Sequence, residues 1–208
     1  MAEPYDKSAS LITSFCFAAG RGSALVNHLE YTKPVENPPV SREITAVPSA
    51  YSSMRIATLG EIAKENVAAS PSGCRQLQAT ITYECNAAIV HDTYNRWSVS
   101  VEAIGEVPGI VWSMSLEPLP PAIHARNCSQ NSLGILESSK PLLVALMTAS
   151  WSHEADDRHV NGEVRKLMEQ VQGDAQRVGV AHDFIYLNYA APWQDVAGRY
   201  GVDSVKRL

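Results

Sequence analysis

No stretch of about 18 uncharged apolar residues occurs in the 208-residue chain, so no segment reads as a membrane-spanning helix. Residues 1–10 include Glu3, Asp6 and Lys7 and lack a basic run followed by an apolar one, so no secretory signal is expected there. Cysteine is sparse: Cys16, Cys74, Cys85 and Cys128 stand apart, with no CxxC pair and no clustered histidines. That spacing offers neither a zinc site nor a disulfide framework, and reduced structural thiols are expected. Basic charge is also in deficit, with 17 Lys and Arg against 22 Asp and Glu, a net charge of -5. A nucleic acid or an anionic membrane surface would need a concentrated basic face, so neither is expected as a partner. There is no Ser/His/Asp triad and no phosphate-binding loop; Gly20-Arg21-Gly22 reads as a turn. A cytoplasmic protein with a hydrophobic small-molecule partner is expected.

What is present is core-forming material, 45% of the residues being hydrophobic. A hairpin is predicted over 11–17 and 23–30, followed by a loop in which Pro34, Pro38, Pro39 and Pro48 forbid regular structure. A short helix follows at 59–69. From residue 76 the periods alternate. Leu77, Ala79, Ile81 and Tyr83 interleave with Gln78, Thr80 and Thr82, which predicts a half-buried strand. A helix over 86–104, strands over 110–116 and 142–150, a helix over 154–178 and a strand over 183–189 complete the series. The second helix carries Val160, Val164, Leu167, Met168, Val171, Ala175 and Val178 at helical spacing.

The order strand, helix, strand, strand, helix, strand predicts an α+β fold. Its antiparallel sheet has both helices on one face in a split βαβ, ferredoxin-like arrangement, with the N-terminal hairpin added. Placing the bulky set of each strand under the helices leaves Gln78, Thr80, Thr82, Ser113, Ser115, Tyr186 and Asn188 on the other face. A face so rich in hydroxyls and amides is either solvated or a pocket wall.

Five blocks carry a resemblance to a known family. They are Leu29-Glu30-Tyr31-Thr32-Lys33-Pro34-Val35; Val107-Pro108-Gly109-Ile110-Val111-Trp112-Ser113; Leu119-Pro120-Pro121; Asn131-Ser132-Leu133-Gly134; and the run from Phe184-Ile185-Tyr186-Leu187-Asn188-Tyr189 through Ala190-Ala191-Pro192-Trp193-Gln194-Asp195. In this order they resemble the C-terminal, substrate-binding half of fungal FAD-linked oxidoreductases of the berberine-bridge type, in the vanillyl-alcohol-oxidase superfamily. Nothing in the chain corresponds to that family's long FAD-binding region. Residues 1–208 are therefore expected to form a single truncated substrate-binding domain, read as a complete small protein with no cofactor. The resemblance implies a cavity wall that has lost the flavin facing it; a second copy of the chain in a homodimer, or the loops 32–53 and 119–136 folded over the face, is the expected replacement cover.

A shaped cavity without a hydride acceptor can still promote cyclisation, double-bond isomerisation or pericyclic closure. The expectation is thus a cofactor-independent cyclase or isomerase, a Diels-Alder-type pericyclase among the options, acting on a polyketide- or terpenoid-like intermediate of secondary metabolism. Two alternatives stay open: a noncatalytic accessory subunit of a flavin oxidoreductase, and an oxidase recruiting FAD noncovalently. Tyr186 and Asn188, on one face of the last strand, match the family's Tyr-x-Asn-Tyr block and could polarise a carbonyl or phenol; Asn188 capping a loop while Tyr186 packs is the competing reading. Tyr189, at the opposite parity, is read as core. His28 and Glu30 alternate along the second strand as an acid and base pair, or as exposed edge residues. His124, in a long loop, is a candidate acid or base, and Tyr31 a hydrogen-bond donor or a structural tyrosine. Gln78, Thr80, Thr82, Ser113 and Ser115 are the expected substrate-binding set. Trp112 has helix-side parity and reads as core.

Overall fold

A computed structural model describes residues 5–68, 72–124, 135, 140–201 and 205–206. Its strands are β1 (Ala9–Ala18), β2 (Gly22–Tyr31), β3 (Arg75–Glu84), β4 (Val111–Leu119), β5 (Leu142–Trp151) and β6 (Ala181–His182). Its helices are α1 (Arg42–Thr45), α2 (Leu59–Ala68), α3 (Ala87–Ile104), α4 (Pro121–His124) and α5 (Asp157–Arg177). The sheet runs β2-β1-β4-β5-β3-β6, and β3 pairs antiparallel with both β5 and β6, as β5 does with β4. The last four strands have the split βαβ order that the sequence predicts, and β1 extends the sheet beside β4.

The chain divides into two compact units, Met1–Leu11 with His28–Cys74, and Ile12–Asn27 with Arg75–Leu208. The smaller unit has little core. Its α2 opens on a reciprocal cap, Thr58 N–H donating to the Glu61 carboxylate at 2.8 Å and Glu61 N–H to the Thr58 hydroxyl at 3.3 Å. None of the α2 residues is buried, so this helix rests on its cap and local pairs.

The larger unit holds the main core. Ala79, Ile81 and Tyr83 of β3, Trp112, Met114 and Leu116 of β4, and Leu143, Ala145, Met147 and Ala149 of β5 face Ile89 and Trp97 of α3 and Val160, Val164, Leu167 and Val171 of α5. The period of two in the strands and the stripe of α5 meet here, as the sequence predicts. Several polar groups inside this layer are bonded: the Trp112 indole donates to Ser100 Oγ at 2.8 Å, and Tyr83 and Thr93 share a hydrogen bond of 3.2 Å. Burial pushes the Tyr83 phenol up to about 12. Arg75 pairs bidentately with Asp157 at the start of α5, and the Trp151 indole donates to the same carboxylate at 2.9 Å. Gly109, at φ 71°, turns the chain into β4, and a side chain there would collide with Ser152.

The strand expected over 183–189 is corrected. β6 ends at His182, and Leu187–Tyr189 is a 3-10 turn. The edge of β3 that a longer strand would occupy is taken by a side chain instead. Thr80 N–H donates to Gln194 Oε1 at 3.0 Å, and Gln194 Nε2 returns a bond to Thr80 O at 2.6 Å. The amide of Gln194 thus stands in for a peptide group of the missing strand and pins the segment after β6. Among the described residues, no helix is long and apolar enough to cross a membrane.

Candidate active site

The face of the sheet away from the helices is ordered in cross-strand rows. Strand registers place Cys16, Ser113, Thr148 and Gln78 in one row, and Ser14, Ser115, Leu146 and Thr80 in the next. The third row is Glu117, Val144, Thr82 and His182. Directly opposed residues share a face, so the expected set Gln78, Thr80, Thr82, Ser113 and Ser115 does lie together. Several of its hydroxyls are bonded within the sheet: Ser115 to Ser14 at 2.8 Å, Ser113 to Cys16 Sγ at 3.3 Å, and Thr80 to Ala145 O at 3.0 Å. Gln78 is exposed, Ser113 and Ser115 are half-buried, and Thr80 and Thr82 are buried. The rows therefore run from open to closed.

The closed end is roofed by the segment after β6. Phe184 and Tyr200 form a second buried cluster with Ile135, Leu142 and Val144, and Leu119, Tyr186, Tyr189 and Val196 pack against it. At its margin the Tyr189 phenol and the Glu117 carboxyl lie close enough to act on each other's titration. Burial pushes the Glu117 carboxyl up, and the neighbouring Tyr189 phenol only partly opposes this. Tyr189 is pushed up too, by burial first and then by the charge of Glu117. The Tyr186 ring stands edge-on to Tyr189, with centroids 4.8 Å apart, and its hydroxyl accepts from Asn188 Nδ2 at 2.8 Å. A half-buried acid, two phenols and an amide thus converge on one sheet face.

The residues expected from sequence are only partly in this group. Tyr186 and Asn188 do bond to each other, yet not as same-face neighbours on a strand, because the 3-10 turn brings them together. Asn188 is exposed. Tyr189, expected in the core at opposite parity, is half-buried beside Glu117 for the same reason. His28, Glu30 and Tyr31 belong to the smaller unit, where His28 and Glu30 are exposed and Tyr31 gives its hydroxyl to Asp6 at 3.1 Å. His124 closes α4, and its side chain lies outside the described residues, as does most of the loop that follows. Trp112 is fully buried under the helices. Glu117 is the residue that sequence reasoning misses, because the strand it predicts ends at Leu116. The alternation Ser113, Ser115, Glu117 is the available signal, and Pro118 masks it.

A groove of about 350 Å³ lies between α3 and α5, away from this face. Its charges satisfy each other: Asp174 accepts from Arg96 at 2.8 Å and from Arg177 at 3.3 Å, and Arg177 also reaches Asp92 at 3.2 Å. The Arg96 guanidinium beside Asp174 holds that carboxyl below its usual range. This is a helix-to-helix ion-pair network. Among the described residues no three His, Cys, Asp or Glu gather as metal ligands.

No protein-family profile matches the chain. It is 36% identical over 211 residues to "Oligopeptidase PhomG'" of Diaporthe leptostromiformis, covering all of this chain and 17% of that protein. It is 26% identical to FAD-dependent monooxygenase FUP4 of Fusarium proliferatum and 27% identical to FAD-dependent monooxygenase sdcF of Emericella nidulans, over 99% of this chain in both cases. The chain spans 42% and 44% of the lengths of those two monooxygenases. Among solved structures, 6-hydroxy-D-nicotine oxidase of Arthrobacter nicotinovorans superimposes with a TM-score of 0.65 at 14% identity, over 96% of this chain and 43% of that one.

The family likeness raises the question of FAD. Holding its pyrophosphate calls for a loop of free backbone amides. The Gly20 to Gly22 turn is an exposed hairpin connection in which the Arg21 amide is spent on Ala18 O at 2.9 Å. That turn therefore offers no cradle for the phosphate end of FAD. The chain is thus similar in sequence to parts of fungal proteins named FAD-dependent monooxygenases and of one named an oligopeptidase, and it shares the fold of part of 6-hydroxy-D-nicotine oxidase.

Proposed function

We propose that the chain binds a hydrophobic small molecule against the rowed sheet face and promotes a cyclisation or double-bond isomerisation there by proton transfer. The observation that carries this reading is the Glu117–Tyr189 pair under the aromatic roof of Tyr186 and Phe184. Both groups hold their protons more tightly than in water, so Glu117 stays in its acid form, available as a proton donor, to higher pH than a free carboxyl. Glu117 gives its proton to one atom of an unsaturated substrate, and the resulting carboxylate removes a proton from another. The substrate is rearranged, nothing is added or lost, and Glu117 returns to its acid form. Tyr189 stays a phenol throughout and orients the carboxyl. The hydroxyl rows and Leu146 hold the substrate flat, which lowers the entropy lost on reaching the transition state.

The test uses purified protein with a panel of unsaturated polyketide and terpenoid compounds in deuterated water without flavin. The expected product has the substrate's composition apart from deuterium taken from solvent. Glu117→Gln should slow its formation by about a hundredfold or more. A product that forms only with FAD and has lost two hydrogens, or unaltered turnover by Glu117→Gln, would falsify the reading.

A second reading has its own support. The related monooxygenases that this chain partly spans are FAD-dependent by name, which favours a role as the substrate-side wall of a flavin-linked oxidation whose flavin is held by other residues. Recovery of a yellow complex with a flavoprotein, active only together, is the result expected for it.

A further inference from the structure

Among the described residues, the sheet face keeps one buried hydroxyl that bonds to nothing. Thr82 is 1% exposed and its Oγ1 has no partner, whereas Thr80, Ser113 and Ser115 on the same face are all bonded. Leaving such a group dry and unpaired is costly, and the exceptions commonly mark a place for water or a ligand. A second such group belongs to the same region. Tyr200 is 6% exposed, its hydroxyl is also unpartnered, and it shares a buried cluster with Val144, the strand neighbour of Thr82. Both hydroxyls can donate, and a carbonyl oxygen has two lone pairs to receive them.

We infer that Thr82, with Tyr200, forms a subsite for a substrate carbonyl oxygen, two strands along the row that begins with Glu117 and next to His182 of β6. The inference rests on the reading of Glu117 as the proton donor and adds what kind of molecule it serves. Glu117 and Thr82 are two strand spacings apart, about 10 Å. Between them stands Val144, flanked along β5 by Leu142 and Leu146, so the interval is apolar. The matching ligand has an apolar body roughly two fused rings long. It carries a proton-accepting unsaturation at the Glu117 end and a carbonyl at the Thr82 end.

The probe is the solvatochromic naphthalene ketone Prodan, compared with the same dimethylaminonaphthalene lacking the propionyl group. Binding is read from the shift in fluorescence on titration. Wild type should bind the ketone roughly tenfold tighter than the ketone-free compound, the worth of one hydrogen bond. Thr82→Val, which keeps the shape, should erase that preference and leave the ketone-free affinity unchanged, with a melting temperature at or above that of wild type. Tyr200→Phe should reduce the preference in the same direction. Equal binding of the two compounds by wild type, no binding of either, or a preference that survives Thr82→Val would show that the hydroxyl holds water only. Glu117→Gln should keep the preference. If it does, and turnover is also unaffected by that change, the proton-transfer reading falls while the carbonyl subsite stands.

Discussion

The two faces of the one sheet are built on opposite terms. Under α3 and α5 the contacts are dense and mostly apolar, and Tyr83, Thr93 and Trp112 place their polar atoms in hydrogen bonds, while the Trp97 indole N–H is left unpaired. On the other face β3, β4 and β5 present hydroxyls, a carboxyl with its proton held tightly, and the unpaired oxygen of Thr82. Strand alternation lets one backbone serve both, since each residue commits to a side. The helix face supplies stability, and the rowed face keeps groups that a sequence selected for stability alone would replace with apolar ones.

The largest expected effect tests that division within a single strand. Trp112→Ala should cost about 3–5 kcal/mol, because it empties a large volume from the helix-side core. Ser115→Ala, three residues on and on the other face, should cost only about 1 kcal/mol through the lost bond to Ser14. Urea unfolding of the two variants reads both. Comparable losses would mean that the rowed face carries as much of the fold as the core.

Next in size is the roof. Gln194 holds residues after β6 to the β3 edge through Thr80 N–H and O, and its Oε1 also accepts from Ala191 N–H at 2.9 Å. Gln194→Ala should cost about 1–3 kcal/mol. The loss should be local, with faster amide exchange at Thr80 and over residues 184–200 and little change in α5. Uniformly faster exchange across the larger unit would show that the roof and core unfold as one.

The helix face is legible in the sequence and the roof is not, for a physical reason. Alternation in β3 and the α5 stripe are periodic signals, and each is repeated over enough residues to outweigh local noise. Gln78, Thr80, Thr82, Ser113 and Ser115 fall on one face because parity alone fixes that. Residues 183–189 look like a strand, with Phe184, Tyr186 and Asn188 alternating. Yet whether they pair depends on who occupies the edge of β3, and that is Gln194, a residue whose role no local pattern announces. The same tertiary event moves Tyr189 from an expected core position to the side of Glu117. His28 and Glu30 show the converse: their spacing is that of an acid and base pair, but both stay exposed in the smaller unit.

The smallest stability effect concerns Glu117, and its sign is the informative part. Burial raises the carboxyl in the folded protein, so the folded state binds this proton more tightly than the unfolded chain does. Its contribution is full below the ordinary glutamate range and is lost as pH rises through the raised value. The amide introduced by Glu117→Gln is a neutral mimic of the acid form and escapes that loss. The variant should therefore match wild type at acid pH and melt at a higher temperature than wild type once the pH has passed the carboxyl's raised value. Thermal melts across pH check this directly. A gap that opens in the opposite direction, with wild type gaining on the variant as pH rises, would mean that Glu117 works as a stabilised carboxylate.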